Sequence, residues 1–304
     1  METIAGIAET ELIRKAAFPS SGHVRALLRL NFARDESTGR TMLAASHQEP
    51  PLRVVRAFAM EDGAAMVHLH NVSGGLLGGD WLGLTVNVGA EACAQVTTTG
   101  ATRIYRPRQG SPATAQSNEI AVGENALLEY LPDPLIPFAG VRFSQKTCIR
   151  LSWGAGLFWW EILAPGREAH GEIFEYASVE LKTDLTAADR PIAIERVRIA
   201  PEKYRVASLA RLGPYRTWAT FHICRVGLEA SAWLELEQHL REMTQGFHAR
   251  GDTLWGISTL SAHGLVVRCV ARQGRDVLTG LQALWQAAKL RLYGRDAVPP
   301  RKVS

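Results

Sequence analysis

The sequence predicts a mostly β protein, in which stacked β-hairpins form a large β-sheet or helix-like assembly and two α-helices lie in the carboxyl-terminal third. Short β-branched or alternating runs, each interrupted by Gly or Pro, fill roughly the first 200 residues. Turn sequences recur at similar spacing along these runs, and the apolar period becomes helical only after residue 229. We expect a single domain over 1–304, with 1–22 as a flexible amino-terminal segment and 295–304 as a carboxyl-terminal tail.

The strands of the first two thirds are predicted from alternation. Over 82–88 Leu and Val alternate with Gly, Thr and Asn, which is typical of a strand with one buried face, and 93–99 is again strand-like. The same sequence of strand, turn and strand recurs, with turns that begin at residues 89, 123, 154 and 187. We expect each turn to close a hairpin and the hairpins to stack as in a solenoid, although their sequences do not repeat.

The carboxyl-terminal third contains two predicted helices. From residue 229 to 245 one apolar face is formed by Trp233, Leu236, Leu240 and Met243, and Gly246 marks its end. Strands are predicted over 253–260 and 264–270. The second helix is predicted over 276–292, with Asp276 as its N-cap and Gly294 just beyond its end.

Composition excludes several classes of protein. With 46% apolar and 21% charged residues the chain can bury a large core, and 34 Lys and Arg against 30 Asp and Glu give no basic tract for nucleic acid. No apolar run is long enough for a membrane span, and the amino terminus lacks the unbroken apolar region of a signal peptide, so we expect a cytoplasmic protein. The four cysteines lie far apart without a CxxC motif, which argues against a zinc ribbon or a disulfide scaffold.

A glycine-rich loop over 70–80 has four glycines in the six positions from Gly74 to Gly79. Glycine permits positive φ and exposes backbone N–H groups, so a phosphate cradle is one interpretation. The loop lacks the Lys-Ser/Thr of a P-loop, and a strand follows it where a P-loop needs a helix. The sequence therefore favours a tight strand connection or a partner-contact loop over a nucleotide site.

One pair of histidines and one pair of a histidine and a cysteine have the i, i+2 spacing that places both side chains on one face of a strand. His68 and His70 could contact nickel or zinc, but two imidazoles give only a weak or transient site. For His222 and Cys224 we predict core packing instead.

Three acids lie within apolar sequence: Glu129, Asp133 and Glu161. A carboxylate in such a setting needs a partner or solvent. Three explanations remain open at this point: a catalytic carboxylate pair of the glycosidase type, oxygen ligands along an internal path, or ion pairs with arginines. The candidate arginines are Arg103, Arg106, Arg142 and Arg167. Neither a nucleophile elbow nor an HExxH motif is present.

Several separate motifs occur in a fixed order along the chain. They are SGGLLGGD at 73–80, TTTGATRIYR at 97–106, LEYLP with IPF at 128–138, WEI with GR at 160–167, and LYG with PPRKV at 292–303. In wording and spacing these motifs resemble the UreD (UreH) family of urease accessory proteins, from about Val24 to the end of the chain.

The resemblance implies assembly and not catalysis. Proteins of this family are scaffold chaperones that bind the urease apoprotein and recruit UreF and the GTPase UreG, so that nickel is installed in urease. No cofactor is expected to bind tightly, and nickel in transit would contact acids beside the motifs, together with the two strand histidines; those acids are Asp80, Glu129, Asp133 and Glu161.

Partner contacts are predicted near the second helix, at Trp285, Tyr293 and Arg295. A β-rich carboxylate-dependent hydrolase and an interaction module without a metal role remain the alternatives. The hydrolase requires two of the acids to converge in one open cleft of substrate size, whereas the interaction module requires them to be dispersed in surface ion pairs.

Overall fold

The computed structural model describes residues 23–247 and 251–300, and it confirms the mostly β class with two carboxyl-terminal helices. The predicted segment 1–22 lies outside the described residues, as do 301–304 of the predicted tail. The strands are β1 (Arg25–Arg34), β2 (Thr41–Gln48), β3 (Leu52–Arg53), β4 (Ala57–Ala59), β5 (Ala65–Asn71), β6 (Trp81–Val88), β7 (Cys93–Thr98), β8 (Thr102–Ile104), β9 (Thr114–Val122), β10 (Leu127–Leu131), β11 (Leu135–Pro137), β12 (Arg142–Leu151), β13 (Gly156–Leu163), β14 (Ser178–Ala187), β15 (Arg190–Ile199), β16 (Thr217–Arg225), β17 (Thr253–Thr259) and β18 (Gly264–Ala271).

Two facing sheets are built from these strands. The first has the order β15-β14-β12-β9-β6-β1-β2, and the main path of the second is β17-β18-β16-β13-β10-β7-β5-β3. Between β5 and β14 the long strands alternate between the sheets, and their neighbours within each sheet are parallel. The chain therefore winds as a solenoid whose coils are closed by the two sheets.

This winding corrects the predicted hairpins at three of the four turns. The turns at 89, 123 and 154 join strands of opposite sheets, so the strands on either side of each turn do not pair with each other. The turns stack on one another instead, since Gly123 N donates to Val88 O at 2.8 Å and Ser152 N donates to Val122 O at 2.9 Å. Only the turn at 187 closes a hairpin, the antiparallel pair β14 and β15.

The space between the sheets holds two apolar clusters with polar side chains between them. On β12 the buried side chains run from Phe143 through Gln145 and Thr147 to Ile149. Phe143 belongs to one cluster and Ile149 to the other. Gln145 and Thr147, which lie between them, therefore mark a polar layer inside the protein. Burial of such polar groups costs folding free energy unless they are hydrogen-bonded.

Helices α1 (Ala230–Phe247) and α2 (Gly274–Tyr293) pack on the outer face of the second sheet and form a third apolar cluster with it. Both helices confirm the prediction, although α1 runs one residue past Gly246. Gln273 is the N-cap of α2 and Asp276 lies in its first turn, which corrects the predicted cap, while Gly294 closes the helix at φ 62°. Within the described residues no helix combines the length and apolar composition that a membrane crossing requires.

Candidate functional site

A cavity of about 300 Å³ lies within the polar layer between the two sheets. The glycine-rich loop and the amide side chains of Gln116, Asn118 and Gln145 line it from the side of the first sheet. Asp133 and Glu161 line it from the side of the second sheet. We call this space the interior cavity; it brings together two of the four predicted acids.

Glu161 is a buried carboxyl group on the inner side of β13, with 6% of its surface exposed. The amide Nε2 of Gln145 donates a hydrogen bond to its Oε1. Burial, assisted by the negative charge of Glu195, raises the pKa of Glu161 to about 8. At neutral pH the group therefore holds a proton, which explains why it tolerates burial without a cationic partner among the described residues.

Asp133 follows β10 at the rim of the same cavity and is held by β7. Its backbone N donates to Thr98 Oγ1 at 2.8 Å, and that hydroxyl donates to Asp133 Oδ2 at 2.9 Å. This reciprocal contact fixes the position of the carboxylate beside the cavity. The sequence hypothesis that acids line an internal path is consistent with this pair.

Glu129 lies on the opposite face of the second sheet, beneath α2 and outside the interior cavity. Its Oε1 accepts from Trp285 Nε1 at 2.8 Å, and its Oε2 lies 3.1 Å from Lys289 Nζ and 3.3 Å from Gln95 Nε2. Burial raises the pKa of Glu129, and the Lys289 ammonium opposes that shift. The carboxylate thus has the ion pair expected of a structural role, but with a lysine and not with the predicted arginines.

Lys289 was missed by sequence reasoning although a signal was available. It is 1% exposed, four residues after Trp285 on the apolar face of α2. A lysine on a buried helical face requires an acid opposite it, and a buried strand supplies that acid as Glu129.

Asp80 is 4% exposed and secures the glycine-rich loop. Its Oδ1 accepts from Val24 N at 3.0 Å and its Oδ2 accepts from Leu77 N at 2.8 Å. Both oxygens are therefore used by backbone N–H groups, and Asp80 is not among the residues that line the interior cavity. In that loop a Cβ on Gly75 would lie 2.4 Å from Arg103 O, as expected for a tight strand connection.

The two strand histidines are half-buried on β5. Leu69, which lies between them, lines the interior cavity, so His68 and His70 project from the other face of the strand. The His68 ring meets the Phe58 ring edge-on, with centroids 5.8 Å apart. Among the residues that the structure describes, no group of three or more His, Cys, Asp and Glu side chains could hold a metal ion.

His222 and Cys224 are fully buried, which confirms the predicted core packing. The His222 ring stacks on Trp159 with centroids 5.2 Å apart, and its Nε2 lies 3.8 Å from Glu195 Oε2. Burial lowers the pKa of His222 to about 4, so its imidazole is neutral at physiological pH.

The three predicted partner residues differ in their surroundings. Trp285 is 0% exposed and packs in the core of its own chain. Its burial corrects the prediction that this indole contacts a partner at the surface. Tyr293 and Arg295 line a second cavity of about 450 Å³, at the end of the sheets where the turns stack. The guanidinium of Arg225 covers the Tyr293 ring at 4.7 Å. We call this space the turn-end cavity.

Comparison with known proteins identifies relatives along almost the whole chain. The family model described as UreD urease accessory protein matches residues 24–304. The chain is 44% identical over 264 residues to urease accessory protein UreD of Herpetosiphon aurantiacus, covering 87% of this chain and 92% of the relative. It is 33% identical over 289 residues to UreD of Pseudomonas fluorescens, covering 94% and 96% of the two chains. Identity to UreD of a Bacillus species is 27% over 263 residues, covering 86% and 94%.

Proposed function

Because the chain belongs to the UreD family of urease accessory proteins, we propose that it is a non-catalytic scaffold that binds the urease apoprotein and recruits UreF and UreG for nickel insertion. A role in urease maturation follows from the family itself, and a urease accessory protein is a maturation factor and not an enzyme. The proposal adds the partners and the passage of nickel as cargo through this chain.

The observation that supports nickel passage is the meeting of Asp133 and Glu161 at the interior cavity. Carboxylate, amide and hydroxyl oxygens bind a divalent cation through contacts that exchange readily. Tight binding of nickel would require soft ligands or several nitrogen ligands instead. Gln116, Asn118 and Gln145 add such oxygens to the same wall. A path of this composition suits an ion that must be released again.

The protonated state of Glu161 adds a second property. A cation that enters the cavity makes the carboxylate form more favourable, so the proton leaves as the cation binds. When the cation moves on, burial again favours the protonated carboxyl group. Glu161 can therefore alternate between a neutral and an anionic group without leaving a buried charge unpaired.

The test is a paired measurement on Glu161→Gln and Asp133→Asn in cells that express the urease gene cluster. We expect the complex with the partners to be recovered at the wild-type level while the nickel content of the resulting urease falls. Glu129→Gln is the matched control, because it neutralises a buried acid outside the interior cavity and should affect folding first. Normal nickel loading in both variants would remove the cavity acids from the mechanism.

The hydrolase alternative has one observation in its favour, since two acids do line one cavity. Family membership argues against it. The interaction module without a metal role predicts that neither cavity variant changes nickel content, so the same experiment separates it from nickel passage.

A further inference from the structure

The turn-end cavity contains arginines whose charge is not fully neutralised. Three arginines and two carboxylates are among its lining residues, namely Arg34, Arg225, Arg295, Asp62 and Glu91. Arg34 and Glu91 form an ion pair with each other, so they contribute no net charge. Asp62 lies 3.9 Å from Lys289 Nζ, which is also paired with Glu129. Together these groups leave one positive charge in excess.

Arg225 and Arg295 carry the two positive charges of the lining that no ion pair among the described residues neutralises, and the one negative charge left on the group of Asp62, Lys289 and Glu129 reduces their sum to one. Arg225 lies on the Tyr293 ring and donates one guanidinium N–H to the carbonyl of Leu292, and neither interaction neutralises it. Arg295 is exposed and forms no ion pair with the residues that the structure describes. Its charge nevertheless acts inside the cavity, because it opposes the rise that burial causes in the pKa of the Cys93 thiol. Arginine presents several donors in a planar fork, so both side chains can bind an oxyanion.

The shape of the cavity favours a protein side chain over a free ion. A volume of about 450 Å³ exceeds what a small oxyanion would fill, and Leu127, Leu292 and the Tyr293 ring provide apolar wall beside the arginines. A Glu or Asp in a peptide segment carries one negative charge and an apolar stem, whereas phosphate carries close to two charges and no apolar part. The observed excess of one positive charge matches the carboxylate.

We propose that the turn-end cavity is a docking site for a carboxylate-bearing segment of a protein partner, held by Arg225 and Arg295 beside the Tyr293 ring. This inference rests on the proposed scaffold function and names the chemistry of one of its contacts. The position of the cavity supports this proposal. The cavity is formed where the end of α2 meets the turns before β7 and β13, so a bound segment would contact both the helix and the end of the second sheet.

The first experiment reverses the charge in the full chain. With Arg295→Glu, the amount of partner recovered from cells that express the urease cluster should fall roughly tenfold or more, because a like charge now faces the docked carboxylate. The matched control is Arg291→Glu, an exposed arginine on α2 outside the cavity lining, 4.0 Å from Glu235. It should change recovery by less than roughly twofold. Equal recovery for both variants and the wild type would overturn the docking site and leave the scaffold function intact.

The second experiment identifies the bound group. Arg295→Lys retains the cation and supplies a primary amine, so a carbodiimide should couple it to the partner's Asp or Glu, and mass spectrometry should locate that residue. Coupling only to Asp62 or Glu91 of the same chain would contradict the proposal. Inorganic phosphate that binds the cavity without releasing the partner would assign the cavity to a free oxyanion instead. If the wild-type chain recovers no urease component, the scaffold function itself fails.

Discussion

The carboxylate of Glu129 lies 3.1 Å from the ammonium of Lys289, and both side chains are almost completely buried between the second sheet and α2. The Trp285 indole and the Gln95 amide donate to the same carboxylate, and Gln95 also donates to the Val298 carbonyl at 3.0 Å. One polar network therefore joins β7, β10, α2 and the segment beyond α2. Its role follows from its connections: it holds the helix and the following segment on the sheet.

We expect Lys289→Met to lower the free energy of unfolding by about 3 to 5 kcal/mol, because it leaves the Glu129 charge buried without its partner. Lys182→Met is the matched control, since Lys182 forms a surface pair with Glu180 at 3.5 Å and should change stability by less than about 1 kcal/mol. Urea unfolding monitored by tryptophan fluorescence measures both. Similar losses in the two variants would show that the buried pair does not stabilise the fold.

Glu161 should make stability depend on pH. Its pKa is raised from 4.5 to about 8 on folding, so between these values the folded state holds a proton that the unfolded state has lost. The wild-type protein therefore loses stability as the pH rises through this interval, by at most about 1.4 kcal/mol per pH unit. Glu161→Gln cannot lose this proton. The free energy of unfolding of the variant, relative to that of the wild type, should therefore rise from pH 5 to 8 and then level off. Parallel curves of the free energy of unfolding against pH for the two proteins would contradict the assignment.

The phenol of Tyr293 packs against the start of β13 so closely that only glycine fits there. A Cβ on Gly156 would lie 1.8 Å from the Tyr293 oxygen. We expect Gly156→Ala to cost about 1 to 3 kcal/mol through overpacking, and Tyr293→Phe in the same chain to recover part of that loss. Gly256→Ala on β17 is the control, because nothing lies within 4 Å of its added carbon. Additive effects of the two substitutions in thermal unfolding would show that the residues are not coupled.

Nickel binding by the isolated chain should be weak, roughly micromolar or weaker, because His68 and His70 provide two imidazoles without a third fixed ligand in the described residues. Calorimetry with nickel chloride measures the affinity, and His68→Ala combined with His70→Ala should reduce it further. A nanomolar one-to-one complex that survives the double substitution would locate the nickel ligands elsewhere.

Local periodicity was sufficient to predict β6 and the two helices. Alternation over β6 and the helical stripes of α1 and α2 are properties of neighbouring residues, and the structure confirms them. The pairing of the strands could not be predicted in this way. A turn indicates that the chain changes direction, but whether the next strand pairs locally or crosses to a facing sheet depends on hydrogen bonds to strands about 30 residues away.

The same distinction applies to the acids. Glu129 and Glu161 could both be recognised as carboxylates in apolar strands, yet they lie on opposite faces of one sheet. Every residue of β10 and β13 is buried, so no alternation of polar and apolar residues shows which face is which. The residues alone were enough to predict that both carboxyl groups require a partner or solvent. That Lys289 pairs with Glu129 and that Glu161 keeps its proton could not be predicted, because burial and charge at each site depend on chain segments brought together by folding.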